Sequence, residues 1–482
     1  MNRQINRVTA ALIFLLIALM VNVSFIQVFQ SKTLRNQAGN QRVMLTEYSR
    51  ERGSILVGSQ AVAASKETND SLAFLRTYEQ GDMYAPITGF YSTVYGATGL
   101  EAKENDVLAG NDSRFFVDRL QQLIAGRKPK GGAVRLTINA DAQKAAYKAL
   151  GGRTGAVVAI NPATGEILAL ASSPSFDPNT LSSHDPKTIQ QTYDVLNKDE
   201  DKPMLNRPLA MTLPPGSTFK LVTAAAALES GKYNADSILP GPQQIQLPET
   251  DKQLGNWTGT SCGTNNQVTL KEALAISCNT AFAWLGLQVG ADAIGAQAKK
   301  FGFEQSLEVP MVAAASHFPT HIDQPQTAMS AIGQFDVRAT ALQMAMVSAG
   351  IANDGVVMKP YLVSQVLGPD LTVLENTTPT ALNRAMSSGN AAVLKEMMVN
   401  VVAHGTGSNG RIAGIDVGGK TGTAENTPGE SAHAWFVGLA PADKPSVAVA
   451  VVLEHGGGAT EVSGNALAAP IAAAVMRAVL GR

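Results

Sequence analysis

The chain has 482 residues, of which 45% are apolar and only 16% are charged, and its 38 Lys and Arg nearly balance its 39 Asp and Glu. This near-neutral composition excludes the basic excess of a nucleic-acid-binding protein and the low hydrophobicity of a disordered chain. Two cysteines cannot supply a disulfide-dense scaffold or a four-cysteine zinc site. The composition leaves a large globular protein, with an enzyme favoured and a membrane attachment open.

Residues 8–31 form an uncharged segment near the N-terminus. About 20 apolar residues cross a bilayer as a helix, so the segment is long enough to span. Arg3 and Arg7 precede it, and the positive-inside rule then predicts that residues 1–7 are cytoplasmic and the bulk of the chain extracytoplasmic. A cleaved signal peptide is the alternative, but its apolar region is usually shorter and ends in a small-residue pattern that this run lacks. We expect an uncleaved, single-pass anchor in the cell membrane.

Residues 32–132 carry no obvious catalytic motif, and we interpret them as a small α+β module between the membrane and the main domain. Within this module, residues 50–56 are typical of a turn that leads into a strand, and residues 115–124 have apolar positions near helical spacing. The basic, Pro- and Gly-containing run 127–132 marks a boundary. Residues 133–482 are then expected to form one large second domain.

The second domain begins and ends with strand patterns. Residues 155–161 and 166–171 read as two strands joined by a turn with both Pro and Gly, which predicts a hairpin. Ala-rich helical patterns dominate residues 214–355. The later predicted elements are three strands and a closing helix, at 417–423, 434–440, 446–454 and 466–480. This order predicts an α+β fold in which one sheet is assembled from both ends and a helical subdomain is inserted.

Cys262 and Cys278 are the two cysteines of the chain, and both lie in the part predicted to be extracytoplasmic. An oxidising compartment favours a disulfide between them. Closing a loop of about 15 residues stabilises a fold by about 3 kcal/mol on the chain-entropy model. A reduced, buried pair of cysteines is the alternative.

Ser217 follows Pro214-Pro215-Gly216 at the start of an apolar helical pattern, and Lys220 lies on the same helical face. A serine hydroxyl is a weak nucleophile that needs a nearby base. Burial in an apolar helix lowers the pKa of a lysine, so that its neutral amine can accept a proton. The helix N-terminus favours developing negative charge. The alternative is a helix-capping serine beside a solvated lysine, because such caps are common.

Lys420-Thr421-Gly422-Thr423 lies on a predicted strand after two glycines. On an edge strand, the lysine ammonium and the two threonine hydroxyls can hold a substrate carboxylate. Gly422 then permits the close approach of a substrate backbone. The alternative is an ordinary strand end with an exposed lysine.

A Ser-x-Asn pattern occurs three times in the chain, so its context must decide. Ser277-Cys278-Asn279 follows a helical pattern and lies between the other two motifs. Ser388-Gly389-Asn390 is in a polar stretch interpreted as a loop, and Ser463-Gly464-Asn465 comes after the Lys-Thr-Gly motif, in the wrong order. We therefore choose Ser277 and Asn279.

In this order, S-x-x-K, S-x-N and K-T-G resemble the motif set of penicillin-binding proteins and serine β-lactamases. The sequence is identified as a member of the class B penicillin-binding transpeptidases, and the resemblance covers most of the chain. Further matches are Arg52-Gly53-Ser54-Ile55, the first hairpin with Thr164-Gly165-Glu166-Ile167, the stretch from Gly333-Gln334 to Gly355, Gly405-Thr406-Gly407 and Trp435-Phe436-Val437-Gly438. Phe335 stands where many relatives have Gly, which affects local loop shape. Cys278 stands where class A β-lactamases have Asp, which moves the match away from them.

The resemblance implies a transpeptidase fold, with a mixed sheet covered by helices and an all-helical subdomain. It implies a D,D-transpeptidase that acts on peptidoglycan stem peptides ending in D-Ala-D-Ala, with β-lactams acylating the same serine. Ser217 would attack the penultimate D-Ala carbonyl, and Lys220 would take its proton with Ser277 as relay. The backbone N–H groups of Ser217 and Thr423 would form the oxyanion hole.

The same resemblance assigns the substrate contacts. Lys420, Thr421 and Thr423 would hold the terminal carboxylate beside Gly422, and Asn279 would bind the substrate amide. The implied chemistry requires no metal and no cofactor. Residues near these motifs are given structural interpretations: Glu425 and His433 as structural groups, Trp257 and Trp435 as core or cleft wall, and His404 as a loop residue.

Other functions remain open at this stage. A D,D-carboxypeptidase or a β-lactam hydrolase would use water in place of an acceptor amine, and we find no residue that clearly installs a deacylating base. A penicillin-binding sensor would need a cytoplasmic output, whereas only about seven residues precede the predicted span. A scaffold for divisome or elongasome proteins is the third possibility. No glycosyltransferase domain is evident, so we expect a separate protein to supply the glycan strands.

Overall fold

The computed structural model describes residues 2–30, 48–116, 124, 130–425, 429–459 and 462–482. The N-terminal α-helix spans Asn2–Phe25 and continues as a π-helical turn over Ile26–Gln30. Its stretch Arg3–Phe25 is 23 residues long, apolar enough to cross a membrane, and not buried against the rest of the protein. The predicted apolar helix is therefore confirmed, although it begins before residue 8 and includes both arginines.

A six-stranded sheet forms the centre of the N-terminal module. Its strands, in order across the sheet, are Val373–Asn376, Val363–Leu367, Ala133–Leu136, Ile55–Val57, Gln60–Glu67 and Phe74–Tyr78. The strand that follows the Arg-Gly motif pairs in parallel with Ala133–Leu136, which in turn pairs with Val363–Leu367. Three strands from the region expected to form the second domain thus complete this sheet. A strand pattern fixes which face of a strand is buried but not which strand it pairs with.

The N-terminal sheet is joined to its helices by a buried ion cluster. Glu101 accepts hydrogen bonds from Arg52 Nε and Arg76 Nε, both at 2.6 Å, and from the Tyr78 hydroxyl at 3.1 Å. Burial disfavours the Glu101 carboxylate, but the two arginines outweigh burial and lower the pKa of Glu101. The helices of this module are Gly81–Thr88, Gly99–Lys103 and Asn105–Leu108. The helix predicted over residues 115–124 falls mostly outside the described residues.

A five-stranded antiparallel sheet forms the centre of the second domain. Its order is Gly418–Ala424, His433–Ala440, Val447–Leu453, Gly155–Ile160 and Ile167–Ser173. The last strand in the sequence pairs with the first hairpin, so the predicted assembly from both ends is confirmed. The strand Gly418–Ala424, which we call the KTG strand, lies at one edge.

Helices cover both faces of this sheet. Ala140–Leu150 and Ala469–Val479 pack on the face that carries Val157 and Ala159. Ala341–Ala352 packs on the face that carries Val158 and Ile160. Both faces are therefore buried, which explains why the strand residues form continuous apolar runs instead of alternating with polar ones.

The helical subdomain surrounds Lys220–Glu229, in which nine of ten residues are buried. Its other helices are Leu270–Ala275, Asn279–Val289, Ala291–Lys300, Gln324–Ser330 and Ser388–Ala403.

The remaining α-helices and strands are Pro186–Lys198, Arg207–Ala210, Tyr91–Ser92, Gly96–Ala97, Ile238–Pro240, Gln244–Gln246, Gln253–Gly255, Gln267–Thr269, Leu307–Glu308, Val312–Ala313, Val356–Met358 and Ala381–Arg384. The predicted α+β class, with a mixed sheet, covering helices and a helical subdomain, is confirmed. The stretch from Ser388, interpreted as a loop, is instead the start of a helix.

Candidate active site

The candidate nucleophile Ser217 lies in a 3-10 turn, Gly216–Phe219, that leads directly into Lys220–Glu229. Gly216 has a φ of +52°, and a Cβ atom there would lie 2.9 Å from the Thr423 carbonyl oxygen. Glycine thus lets the turn lie against the KTG strand. Ser217 and the Lys-Thr-Gly motif, more than 200 residues apart in sequence, are neighbours because of this close contact.

Gly422 packs closely against the turn that carries Ser217. A Cβ atom at Gly422 would lie 2.9 Å from the Pro215 carbonyl oxygen and 3.0 Å from Thr218 Cγ2. This glycine therefore permits the close approach of the turn before Lys220–Glu229. A close approach of a substrate backbone to Gly422 stays a prediction. The sequence shows that a glycine is present but cannot show which backbone approaches it.

Lys220 is fully buried, so the alternative of a solvated lysine is wrong. Its Nζ lies 2.8 Å from the Ser277 carbonyl oxygen, 2.7 Å from Asn279 Oδ1 and 3.2 Å from Ser277 Oγ. Burial, and then the positive charge of Lys420, lower the pKa of Lys220 well below its usual value. Within the described chain, the Ser217 hydroxyl makes no hydrogen bond to Lys220 or to any other residue. The amine of Lys220 is therefore held by the second motif.

Ser277 joins the two buried lysines. Its hydroxyl lies 2.9 Å from Lys420 Nζ and 3.2 Å from Lys220 Nζ. Lys420 is fully buried, contrary to the alternative of an exposed strand-end lysine, and burial lowers its pKa to about 7. Ser277 has a φ of +61°, an uncommon backbone conformation for a non-glycine residue. This backbone conformation occurs where the chain passes from Leu270–Ala275 to Asn279–Val289.

Asn279 uses both ends of its side-chain amide. Oδ1 accepts from Lys220 Nζ, and Nδ2 donates to the Gly255 carbonyl oxygen at 3.1 Å. A contact between Asn279 and a substrate amide stays a prediction, and the second N–H of Nδ2 is the group that would make it.

The predicted disulfide is confirmed. Cys262 and Cys278 are bonded, with their Cα atoms 6.3 Å apart, so the alternative of a reduced pair is wrong. Cys278 is the middle residue of the second motif, and Cys262 lies in the loop that faces it. The covalent bond therefore attaches this loop to the start of Asn279–Val289.

One cleft of about 740 Å³ brings these motifs together. Its lining includes five predicted site residues: Ser217, Ser277, Asn279, Thr421 and Thr423. The two lysines lie below this lining. Ligand sites commonly have volumes of about 300–1,000 Å³, so the cleft is large enough for a peptide terminus or a bicyclic drug.

The cleft also contains residues that sequence reasoning missed or assigned elsewhere. Thr406 Oγ1 lies 2.7 Å from Thr421 Oγ1 and orients that hydroxyl. His404, interpreted as a loop residue, lines the cleft, and so does the rejected Ser463–Asn465 segment. A Cβ atom at Gly464 would lie 2.6 Å from the Gly422 carbonyl oxygen, so this segment packs directly on the KTG strand. Motif order could not reveal that contact.

The aromatic and acidic residues near the motifs divide between core and cleft. Trp257 is 70% exposed, lines the cleft, and donates from Nε1 to the Ile276 carbonyl oxygen at 3.3 Å. Trp435 is fully buried in the core. His433 is also buried, and burial followed by the neighbouring His455 lowers its pKa to about 4. Glu425 is exposed.

Two family models match the chain. Residues 155–477 match the penicillin binding protein transpeptidase domain, and residues 52–134 match the penicillin binding protein A dimerisation domain. The chain belongs to the penicillin-binding transpeptidases. The resemblance drawn from the three motifs is therefore confirmed. The small N-terminal module and the Ser-Cys-Asn form of the second motif also resemble actinobacterial penicillin-binding protein A, and the second family model agrees.

Curated and solved relatives are similar over nearly the whole of this penicillin-binding transpeptidase. It is 44% identical to the peptidoglycan D,D-transpeptidase PbpA of Mycolicibacterium smegmatis, over 100% of this chain and 99% of that one. Penicillin-binding protein A from M. tuberculosis, solved as a penicillin G acyl-enzyme complex, is 42% identical with a TM-score of 0.86, over 89% of this chain and 100% of that one. A D,D-transpeptidase domain from Eggerthella lenta is 32% identical with a TM-score of 0.78, over 90% and 99%.

Proposed function

We propose that this protein is a D,D-transpeptidase that cross-links peptidoglycan stem peptides through an acyl-enzyme on Ser217. The observation that carries the proposal is the Ser217 hydroxyl, which makes no hydrogen bond within the described residues and shares one cleft with Ser277 and Thr421 above two buried lysines. The names of the PbpA relatives, which specify the same activity, support it. The role in the cell is cell-wall synthesis during division or growth.

Acylation begins with proton transfer from Ser217. A neutral Lys220 has two N–H donors and one lone pair; the donors suit the Ser277 carbonyl and Asn279 Oδ1, and the lone pair faces the Ser277 hydroxyl at 3.2 Å. Ser277 can then pass a proton from Ser217 to Lys220. Ser217 Oγ forms the bond to the penultimate D-Ala carbonyl carbon, and the terminal D-Ala leaves as an amine that takes up the proton. Hydrogen bonds between catalytic groups are often long in a substrate-free enzyme and shorten when the substrate binds, and we expect this of the 3.2 Å distance between Lys220 and Ser277.

The KTG strand supplies the electrostatic part of the mechanism. The Ser217 and Thr423 backbone N–H groups would bind the oxyanion, and loss of one such donor typically costs about 10²–10³ in rate. Thr421 and Thr423 would hold the terminal carboxylate. With a pKa of about 7, Lys420 can carry a positive charge beneath that carboxylate. The acyl-enzyme is resolved when an amine from a neighbouring stem attacks its carbonyl carbon. The bond from that carbon to Ser217 Oγ breaks, and a proton from the amine returns to Ser217 through Lys220 and Ser277.

Labelling with penicillin tests the nucleophile. The full-length protein is incubated with a labelled penicillin, and the modified peptide is mapped by mass spectrometry. We expect one adduct, on Ser217, and none in the Ser217→Ala variant. Labelling of another residue, or undiminished labelling of the variant, would contradict the assignment. Complementation with Ser217→Ala tests a scaffold role, because full restoration of growth would mean that catalysis is not the essential activity.

The proposal also includes the location of the enzyme in the cell and the proteins that it works with. The catalytic region is extracytoplasmic and held at the cell membrane by the N-terminal helix, which the flanking Arg3 and Arg7 support through the positive-inside rule. The disulfide supports the same location, because disulfides persist outside the reducing cytoplasm. A separate glycosyltransferase supplies the glycan strands. Divisome or elongasome proteins are further partners of this enzyme. Glycan polymerisation by the isolated protein would refute the separate supply.

A further inference from the structure

Asn256 lies in the loop that faces the second motif, and only 8% of it is exposed. Its Oδ1 accepts hydrogen bonds from the backbone N–H groups of Asn279, at 3.0 Å, and Thr280, at 3.1 Å. Its Nδ2 donates to the carbonyl oxygens of Pro242 and Thr260, both at 3.0 Å. Both N–H donors and the carbonyl oxygen are in use, so one side chain fixes the loop to the start of a helix.

The helix Asn279–Val289 depends on a cap from outside its own sequence. Its N-cap residue is Cys278, whose side chain makes no capping hydrogen bond because its sulfur is in the disulfide. Ser, Thr, Asp or Asn at this position would normally accept from the unpaired N–H groups of the first turn. Asn256 supplies that acceptor from 23 residues before Asn279. The helix start is therefore positioned by the loop.

Hydrogen bonds connect this arrangement to Lys220, the proposed general base. Asn279 Nδ2 is held by the carbonyl oxygen of Gly255, the residue before Asn256. Asn279 Oδ1 then accepts from Lys220 Nζ at 2.7 Å, the shortest of the three Lys220 contacts. A misplacement of about 1 Å in a catalytic array can cost about 10²-fold in rate. Movement of the helix start would therefore be transmitted to Lys220 by one intervening side chain.

We propose that Asn256 is a positioning residue for the acylation step, in that its amide fixes Asn279 and, through Asn279, orients Lys220. The inference rests on the proposed function, because it takes Lys220 as the base that accepts the Ser217 proton. The disulfide attaches the same loop at Cys278 but makes no contact that orients the Asn279 amide. The two attachments therefore have separate effects: the covalent bond retains the loop, and Asn256 sets the geometry of the base.

The test compares Asn256→Ala with the wild type as full-length protein. The second-order rate of acylation by a fluorescent penicillin is measured across pH and normalised to the folded fraction. We expect a loss of about 10–100-fold. We also expect the midpoint of the acidic limb to move to lower pH. The reason is that Lys220 loses a hydrogen-bond acceptor that favours its charged form, so its pKa falls further.

Gln243→Ala is the matched control. Gln243 Nε2 donates to the Gly259 carbonyl oxygen at 2.7 Å, so it also holds this loop in place, but within the described residues its side chain makes no hydrogen bond to the helix start. We expect this variant to acylate like the wild type. If Asn256→Ala does not fold, Asn256→Ser, which leaves a smaller gap and keeps one hydroxyl acceptor, is measured in its place and is expected to show a smaller loss in the same direction.

The outcomes separate this inference from the proposed function. If the wild type is not labelled on Ser217, the proposed function fails. If the wild type is labelled but the Asn256 variants keep its rate and its pH midpoint, the positioning role is refuted. A lower melting temperature combined with wild-type kinetics would make Asn256 purely structural and would also refute it. A slow variant with a lowered midpoint, beside a normal Gln243→Ala, supports the proposal.

Discussion

Replacing Lys420 by methionine should move the pH dependence of acylation upward. Both lysine Nζ atoms contact the Ser277 hydroxyl, at 3.2 and 2.9 Å, so they lie no more than about 6 Å apart. At an effective dielectric constant of about 20, two unit charges at about 6 Å repel by about 3 kcal/mol, which corresponds to about 2 pKa units. Lys420 has a pKa of about 7 and is only partly charged near neutrality, so the expected shift is about 1–2 units.

The direction of this shift follows from the identity of the base. Lys220 must be neutral to accept the Ser217 proton, and a neighbouring positive charge favours the neutral form. Removing that charge raises the pKa of Lys220, although burial, the larger cause, still holds it below its usual value. The acidic limb of the acylation rate should therefore move to higher pH, and the variant should be slow at neutral pH.

Stopped-flow acylation by a chromogenic β-lactam between pH 5 and 10 measures this midpoint. Lys420→Arg is the control, because its permanent positive charge should leave the midpoint at or below that of the wild type even where poor fit lowers the rate. An unchanged or lowered midpoint in Lys420→Met would refute the reasoning that Lys420 keeps Lys220 neutral.

Three further predictions concern the scaffold around the site. Glu101→Gln should destabilise the protein by about 3–5 kcal/mol, because it leaves two buried arginines without their carboxylate; a melting temperature equal to that of the wild type would contradict this. Gly422→Ala should slow penicillin acylation strongly, because the new Cβ atom would lie 2.9 Å from the Pro215 carbonyl oxygen. A wild-type acylation rate in this variant would show that the strand can shift without effect. Cys262→Ser should lower the free energy of unfolding by about 3 kcal/mol in denaturant titrations, and an equal value would mean that the disulfide does not constrain the unfolded chain.

The chemistry-bearing residues were predictable because their order along the chain is itself informative. Ser217 and Lys220 share a helical face, so their proximity follows from local structure. Ser277 and Asn279 could be chosen among three Ser-x-Asn patterns by the helical pattern before them and by their place between the other two motifs. The five-stranded sheet was predictable because four of its strands are mostly apolar runs at the two ends of one domain, and the fifth, Gly418–Ala424, directly precedes two of them in sequence.

The supporting residues could not be predicted, because tertiary contacts alone bring them to the site. Asn256 stands in a polar loop with no motif around it, and the four hydrogen bonds between its side-chain amide and backbone groups exist only once the loop folds over the helix start. Thr406 and Ser463 reach the cleft from segments on either side of the KTG strand in sequence. The packing of Gly422 against Pro215 could not be predicted for the same reason, since Pro215 lies 207 residues earlier in the chain.

A cross-linking assay tests the central claim most directly. The full-length protein is supplied with a stem peptide ending in D-Ala-D-Ala and with an acceptor stem that carries a free amine, and the products are separated by mass. We expect release of D-Ala together with a cross-linked dimer, with both products lost in Ser217→Ala. Release of D-Ala by hydrolysis without any dimer, or dimer formation that survives Ser217→Ala, would contradict it.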